Sequence, residues 1–494
     1  MVEGQGGSED EAPYVWRYGI ATKAHVVVDG ADYFDLVRDA MMQARQRIML
    51  IGWDFDTRIT LGPGRRWWHR RSRRVPAKLG SFVLWLARRN PDIEILVLKW
   101  NIGALKSLLR GAMMLHLLRW WRQPNIVFKL DSAHPLGCSH HQKIVVIDDG
   151  FAVCGGIDMT SERWDTRDHL AGDPRRRFPS GALSRPWHDC TMLLEGEVAG
   201  LLGAYGRERW RQAGAGELAP CQPQAQTAWP RRLKPQFRDV EVGIARTRSQ
   251  HADYAEVREI EALYLALIAR ARRFIYAENQ YFASRKIFEA IVARLAEPDP
   301  PEIVVVNPIT GYGWLDQEAM DTARVRLLHE LRPRDHAGRF SIWTPYTDGD
   351  IPIYVHAKVM IVDDEVLRVG SANMNNRSLG LDSECDVFID CARPANHHCG
   401  PDIARVRHDL LAEHCGVSLP EMERLLAQHG SMAAVIASRP AGGRSLRPLP
   451  LRELTAAEKS LADNEVLDPE RPEEMLAFYK RRGLFRGLAR RRLR

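Results

Sequence analysis

Short apolar runs alternate with amphipathic stretches over the first two hundred residues, and the same alternation restarts near residue 240. An amphipathic segment ending in Arg45-Gln46-Arg47 leads into the apolar run 48–53, and a counterpart ending in Arg272-Arg273 leads into 274–279. A period near 3.6 followed by a short apolar run reads as helix, then strand. Further strand-like runs follow in matched order, 93–98 with 303–306 and 126–128 with 340–343. Residues 189–194 match 384–389, each run opening on a carboxylate, Asp189 and Glu384. The pattern predicts an α/β fold of two tandem α/β repeats, each a mixed β-sheet flanked by helices, packed with pseudo-twofold symmetry around one active site.

The repeat's limits divide the chain of 494 residues into a first half at 14–212 and a second at 240–430. Residues 213–239, rich in Pro, Gln and Ala, read as a linker, and 431–494 as a C-terminal extension with a basic tail. An apolar content of 45% is enough for substantial cores.

Both halves carry the pattern H-x-K-x4-D, as His141, Lys143 and Asp148 and again as His356, Lys358 and Asp363. Side chains alternate along a strand, so each histidine faces the same way as its lysine and the two can converge on one phosphate. Asp148 and Asp363 lie seven positions on and would face away, which gives them a hydrogen-bonding role first and a chemical one second. Gly155 follows His141 by 14 residues and Gly370 follows His356 by 14, with Asp158 and Asn373 three further on. Matched spacing over this length argues against coincidence.

The net charge of +7 is unevenly spread. Residues 65–78 hold seven Lys/Arg and no acid, and 480–494 hold eight, so the rest of the chain sums to 7 − 15 = −8. Basic arms interleaved with Trp or Leu suit an anionic membrane surface, although nucleic-acid phosphate would also attract them. Residues 103–121 mix cations with Leu and Met in a helical pattern, but their place between two predicted strands favours a crossover helix. No apolar run reaches the 18 or so residues of a membrane span, and the acidic N-terminus is unlike a secretory signal. A cytoplasmic or peripherally membrane-bound protein, taken as a monomer, is expected.

Eight cysteines include no C-x-x-C pair, and His397-His398-Cys399 lacks a second ligand pair at zinc-site spacing. The chemistry is therefore expected to use no metal and no cofactor.

The paired motifs, with Gly370-Ser371-Ala372-Asn373, Tyr276-Ala277-Glu278-Asn279-Gln280 and Pro186-Trp187-His188-Asp189, resemble the phospholipase D superfamily, in particular bacterial relatives of the eukaryotic branch. The resemblance implies a phosphodiesterase that releases phosphatidic acid and a head-group alcohol from a phospholipid through a phosphohistidine. By analogy with the family His141 would be the nucleophile and His356 the general acid/base, although the symmetry of the two motifs leaves the reverse order open. Lys143 and Lys358, with Asn373 and the Gly370-Ser371 backbone, would bind phosphate, and Asp189 and Glu384 would orient the histidines. Asp148 and Asp363 complete the family's catalytic motif. A phosphatidyltransferase of cardiolipin synthase type shares these motifs, while a nuclease is disfavoured by the 186–189 and 276–280 segments.

Overall fold

The computed structural model describes residues 12–62, 75–101, 112–310, 314–440, 442–455, 458 and 468. Its first half supplies strands β1 (Arg17–Val28), β2 (Arg47–Gly52), β3 (Glu94–Trp100), β4 (Ile126–Asp131), β5 (Ile144–Ile147), β6 (Phe151–Gly155), β7 (Trp187–His188) and β8 (Cys190–Gly196). The second supplies β9 (Phe237–Arg248), β10 (Val257–Arg258), β11 (Phe274–Glu278), β12 (Glu302–Val306), β13 (Phe340–Tyr346), β14 (Tyr354–Val355), β15 (Val359–Val362), β16 (Val366–Gly370), β17 (Glu384–Asp390) and β18 (Ser445–Pro448).

Where two sheets were expected, all the described strands except β7 and β14 join one, with β10 pairing on β9. The order β18-β13-β12-β11-β15-β16-β17-β9-β1-β8-β6-β5-β2-β3-β4 reads the same outward from its centre in both directions, apart from β18. β1 and β9 meet there antiparallel, from Arg17 opposite Ile244 to Ala24 opposite Phe237. Two unpaired sheet edges would leave backbone donors and acceptors open, and pairing them satisfies both at once. The pseudo-twofold axis thus passes between β1 and β9.

Helices cover both faces, which is why the apolar runs of β5 and β15 are buried throughout. On one face, helices Glu197–Gln212 and Gly400–Cys415 bury Val198, Leu202, Ile403 and Leu410 in a core that crosses both halves. On the other face each half keeps its own core, under Gly30–Met41 and Leu79–Arg89 in the first and under Glu259–Arg270 and Arg285–Leu295 in the second. The crossover expected at 103–121 is observed as helix Ala112–Trp121, with residues 102–111 outside the described residues.

The motif aspartates explain the tight turns beside the core. Asp148 and Asp149, between β5 and β6, have φ of 52° and 54°, and Asp363 and Asp364, between β15 and β16, have 56° and 59°. Two successive positive φ angles make the hairpin turn whose twist matches the flanking strands, and Asp tolerates that region better than most residues. The Asp148 carboxylate accepts from the amides of Arg45, Gln46 and Arg47 at 2.7–2.8 Å. Asp363 accepts from those of Arg272, Arg273 and Phe274 at 2.7–2.8 Å. Each aspartate therefore ties the start of β2 or β11 to its own hairpin.

Candidate active site

Backbone register across the pseudo-twofold axis decides where the motif histidines stand. The His141 amide donates to the Ser383 carbonyl at 2.8 Å, and the His356 amide donates to the His188 carbonyl at 2.8 Å. β7 and β14 run parallel beside the second contact, Trp187 opposite Tyr354 and His188 opposite Val355. Each histidine is thus docked one residue from a carboxylate of the opposite half, Glu384 at the start of β17 or Asp189 just before β8. His141 Nδ1 lies 2.9 and 3.1 Å from the Glu384 oxygens, and His356 Nδ1 lies 2.7 Å from Asp189 Oδ2. The sequence predicts the two carboxylates; it does not predict that they cross between halves.

The two imidazoles face one another with centroids 6.5 Å apart. Lys143 Nζ donates to the His141 carbonyl at 2.5 Å and lies 3.3 Å from Asp158 Oδ2. Lys358 Nζ donates to the His356 carbonyl and, at 3.2 Å, to Gln280 Oε1. Two imidazoles and two ammonium groups therefore share one cleft. Asn373 is buried and its Oδ1 accepts no hydrogen bond.

Two expectations need correction. Ser371 is not placed to hold phosphate: its hydroxyl donates to Glu384 Oε2 at 2.5 Å, its amide donates to Asp386 at 2.9 Å, and the Gly370 amide donates to the Lys358 carbonyl. Ser371 instead steadies the carboxylate that holds His141. Asp148 and Asp363 are likewise not catalytic by position, since their carboxylates are spent on backbone amides at the far ends of β5 and β15.

Arg163, in the segment after β6, is buried beside the site. Its guanidinium lies 4.1 Å over the Trp187 ring, which packs at 5.1 Å against His356 and at 4.6 Å on Tyr354. No spacing marks this arginine, because the 156–186 segment that carries it has no equal in the second half. Arg167 is engaged by Asp409 and Glu413, and Arg377 by Asp382 and the Gly137 carbonyl, so neither is directed at the cleft. Trp53 borders the site, edge-on to His141 at 6.3 Å and stacked on Trp100. Asn279 turns into the protein, accepting from the Tyr281 and Met374 amides.

Burial dominates the electrostatics. It holds both imidazoles well below the usual histidine range, reinforced at His141 by Lys143 and Lys358 and at His356 by Lys358, Arg163 and Lys143. Burial also pushes Glu384 up to about 8 and Asp189 up to about 6, each partly offset by a lysine, and pushes Lys358 down to about 7. Such a cluster is short of negative charge. An anion between the histidines would supply it and let one imidazole keep a proton.

Residues 341–436, spanning the second motif, match the family model described as Phospholipase D. The chain is 26% identical over 502 residues to phospholipase D1 of Saccharomyces cerevisiae, covering 80% of this chain and 29% of that one. It is 25% identical over 561 residues to phospholipase D alpha 1 of Nicotiana tabacum, covering 83% and 68%. The chain is similar to members of the phospholipase D superfamily. It spans under a third of the yeast superfamily member's length, and about two thirds of the tobacco one. A solved phosphatidylserine synthase from Haemophilus influenzae shares the fold, with a TM-score of 0.54 at 11% identity over 86% of this chain and 97% of that one.

Proposed function

We propose that this protein hydrolyses glycerophospholipids to phosphatidic acid and a head-group alcohol by a double displacement at phosphorus. The facing pair of histidines, each held at Nδ1 by a carboxylate of the other half, carries the reading. An Nδ1–H donated to carboxylate leaves the Nε2 lone pair for chemistry, as in other histidine-dependent sites. His141 Nε2 attacks phosphorus, and the bond to the head-group oxygen breaks as that oxygen takes a proton from His356. His356 then removes a proton from water, whose oxygen displaces His141 from phosphorus. Lys143 and Lys358 stabilise the charge that builds on the non-bridging oxygens.

The relatives' names favour a lipid substrate, and one end of the sheet suits a lipid surface. Leu115, Leu118 and Trp121 of helix Ala112–Trp121 are more than half exposed, as is Leu136 nearby in sequence. No described helix is long and apolar enough to cross a membrane. Of the proposed basic arms, 65–74 and 480–494 lie outside the described residues. Incubating the protein with labelled phosphatidylcholine, phosphatidylglycerol or single-stranded DNA, with and without a primary alcohol, tests the reading. Phosphatidic acid is the expected product, and a phosphatidyl alcohol when alcohol is present. DNA cleavage without lipid turnover would overturn the lipid substrate. Cardiolipin from phosphatidylglycerol with no phosphatidic acid would make the protein a transferase.

A further inference from the structure

Behind Asp189, on the side away from the cleft, four buried side chains converge: Asp29, His169 and His188 of the first half and Glu413 of the second. We propose that they form a tetrahedral site for a divalent metal ion of the zinc class, separate from the phosphodiester chemistry, that clamps the two halves together.

The spacing of the candidate ligands supports this. His169 Nε2 lies 3.1 Å from Asp29 Oδ2 and 3.1 Å from Glu413 Oε1. His188 Nδ1 lies 3.0 Å from Glu413 Oε1 and 3.3 Å from Asp29 Oδ1. One ligand atom from each residue lies within 4.8 Å of all the others. A tetrahedral zinc ion with bonds near 2.0–2.1 Å holds its ligand atoms about 3.3–3.4 Å apart, close to these four histidine–carboxylate contacts of 3.0–3.3 Å. Asp29 Oδ2 is buried and has His169 Nε2 as its partner at 3.1 Å, a contact in which an ion bound by both atoms would take the place of a proton.

The surroundings of the four residues have the form that metal-binding histidines require. Such a histidine turns its second nitrogen to a carboxylate that fixes its tautomer. Here His169 Nδ1 lies 2.9 Å from Asp165, and His188 Nε2 lies 2.7 Å from Glu278. Neither carboxylate belongs to the quartet, and both are anchored. Asp165 accepts from Arg176 and the Trp187 amide, and Glu278 accepts from the Tyr276 hydroxyl and lies 3.0 Å from His414 Nε2. Glu413 turns its other oxygen to Arg167, and Arg444 lies 3.8 Å from Oε1. Asp29 and Glu413 together carry the two negative charges that balance a divalent ion. Ligands drawn from residues 29 to 413 show no zinc spacing in the sequence, so motif reading could not find them.

The site also backs the cleft. Asp29 Oδ1 accepts from the Asp189 amide at 3.1 Å, and the Asp189 carbonyl accepts from the Asp29 amide at 2.8 Å. Metal bound to Asp29 would therefore stiffen the carboxylate that holds His356, as a positioning element.

The test uses the full chain, without a histidine tag, from zinc-supplemented medium. Elemental analysis should find one zinc per chain, and cobalt(II) reconstitution should give the intense visible bands of a tetrahedral ion. Dipicolinate should strip the metal and lower the unfolding temperature, and His169→Gln and Glu413→Gln should each lose the metal. Where neither variant folds, the wild-type zinc content and cobalt spectrum decide. A metal-free protein with a featureless cobalt spectrum would make the quartet a lattice of imidazolium–carboxylate pairs and overturn the proposal. Metal retained at full stoichiometry by both folded variants would place it elsewhere and overturn it too.

Discussion

Replacing Asp363 with alanine should weaken the fold and spare the chemistry, although the residue belongs to the motif that marks the site. Its carboxylate accepts three backbone hydrogen bonds, from Arg272 at 2.7 Å and from Arg273 and Phe274 at 2.8 Å. Hydrogen bonds to a charged group contribute about 1.5–3 kcal/mol each. The Arg272 and Arg273 residues are exposed, so water can take over much of what their amides lose, which leaves about 2–4 kcal/mol. Alanine at φ 56° adds about 1 kcal/mol of left-handed strain. The expected loss is about 3–5 kcal/mol for Asp363→Ala, and about 1–2 kcal/mol for Asp363→Asn, which keeps one acceptor oxygen and tolerates the turn. Urea unfolding reads the loss, and turnover normalised to the folded fraction should stay within a few-fold of wild type. If Asp363→Asn kept its unfolding midpoint and lost a hundredfold in kcat, the aspartate would be catalytic and the structural account wrong.

The crossed carboxylates predict step-specific defects. Glu384→Gln should slow formation of the phosphoenzyme and Asp189→Asn both proton transfers at His356, each by about a thousandfold or more, with rapid-quench trapping to separate them. Arg163→Met removes a cation that depresses His356, so the His356 titration seen by NMR should move up and kcat should fall; an unmoved titration would place the guanidinium too far away to matter. Burial holds Lys358 near 7, so its charge is present below that pH and lost above it, and kcat/KM for a phosphodiester should decline as pH rises through 7. Because that lowered value penalises folding at acid pH and the penalty fades between 7 and the ordinary lysine range, Lys358→Met should raise the unfolding temperature at pH 6 while abolishing turnover.

The strands flanking each motif were legible because they are buried on both faces and read as apolar runs, as at 144–147 and 359–362. β1 and β9 were not, although they join the halves. Each mixes exposed charges such as Arg17 and Arg238 with buried positions, so neither makes an apolar run, and only the period-2 alternation could have revealed them. In the site, His141, Lys143, His356 and Lys358 were visible through register, and Asp189 and Glu384 through their place in the repeat. Crossing was not, because a duplication in sequence does not say which copy's carboxylate meets which copy's histidine. Arg163, Asp29 and Glu413 are brought in by tertiary packing alone.

A phosphodiester between two unlike groups is asymmetric, and a site made from equal halves must break its symmetry to tell them apart. The structure breaks it around one histidine. Lys143 has a carboxylate 3.3 Å away in Asp158, whereas the matching position beside Lys358 is the neutral Asn373, and Lys358 donates to the amide oxygen of Gln280 and to the His356 carbonyl. The excess positive charge therefore lies on the His356 side, where Arg163 adds to it. Trp187 packs directly on His356, while the aromatic nearest His141, Trp53, meets it edge-on at 6.3 Å. Behind Asp189 stands the buried quartet, whereas Glu384 is backed by the Ser371 hydroxyl. The longer segment at 156–186 supplies Arg163 and His169, so one insertion in one copy accounts for much of the difference. A symmetric fold thereby presents one stiffer, more cationic wall, against which the two esters of a single phosphate are no longer equivalent.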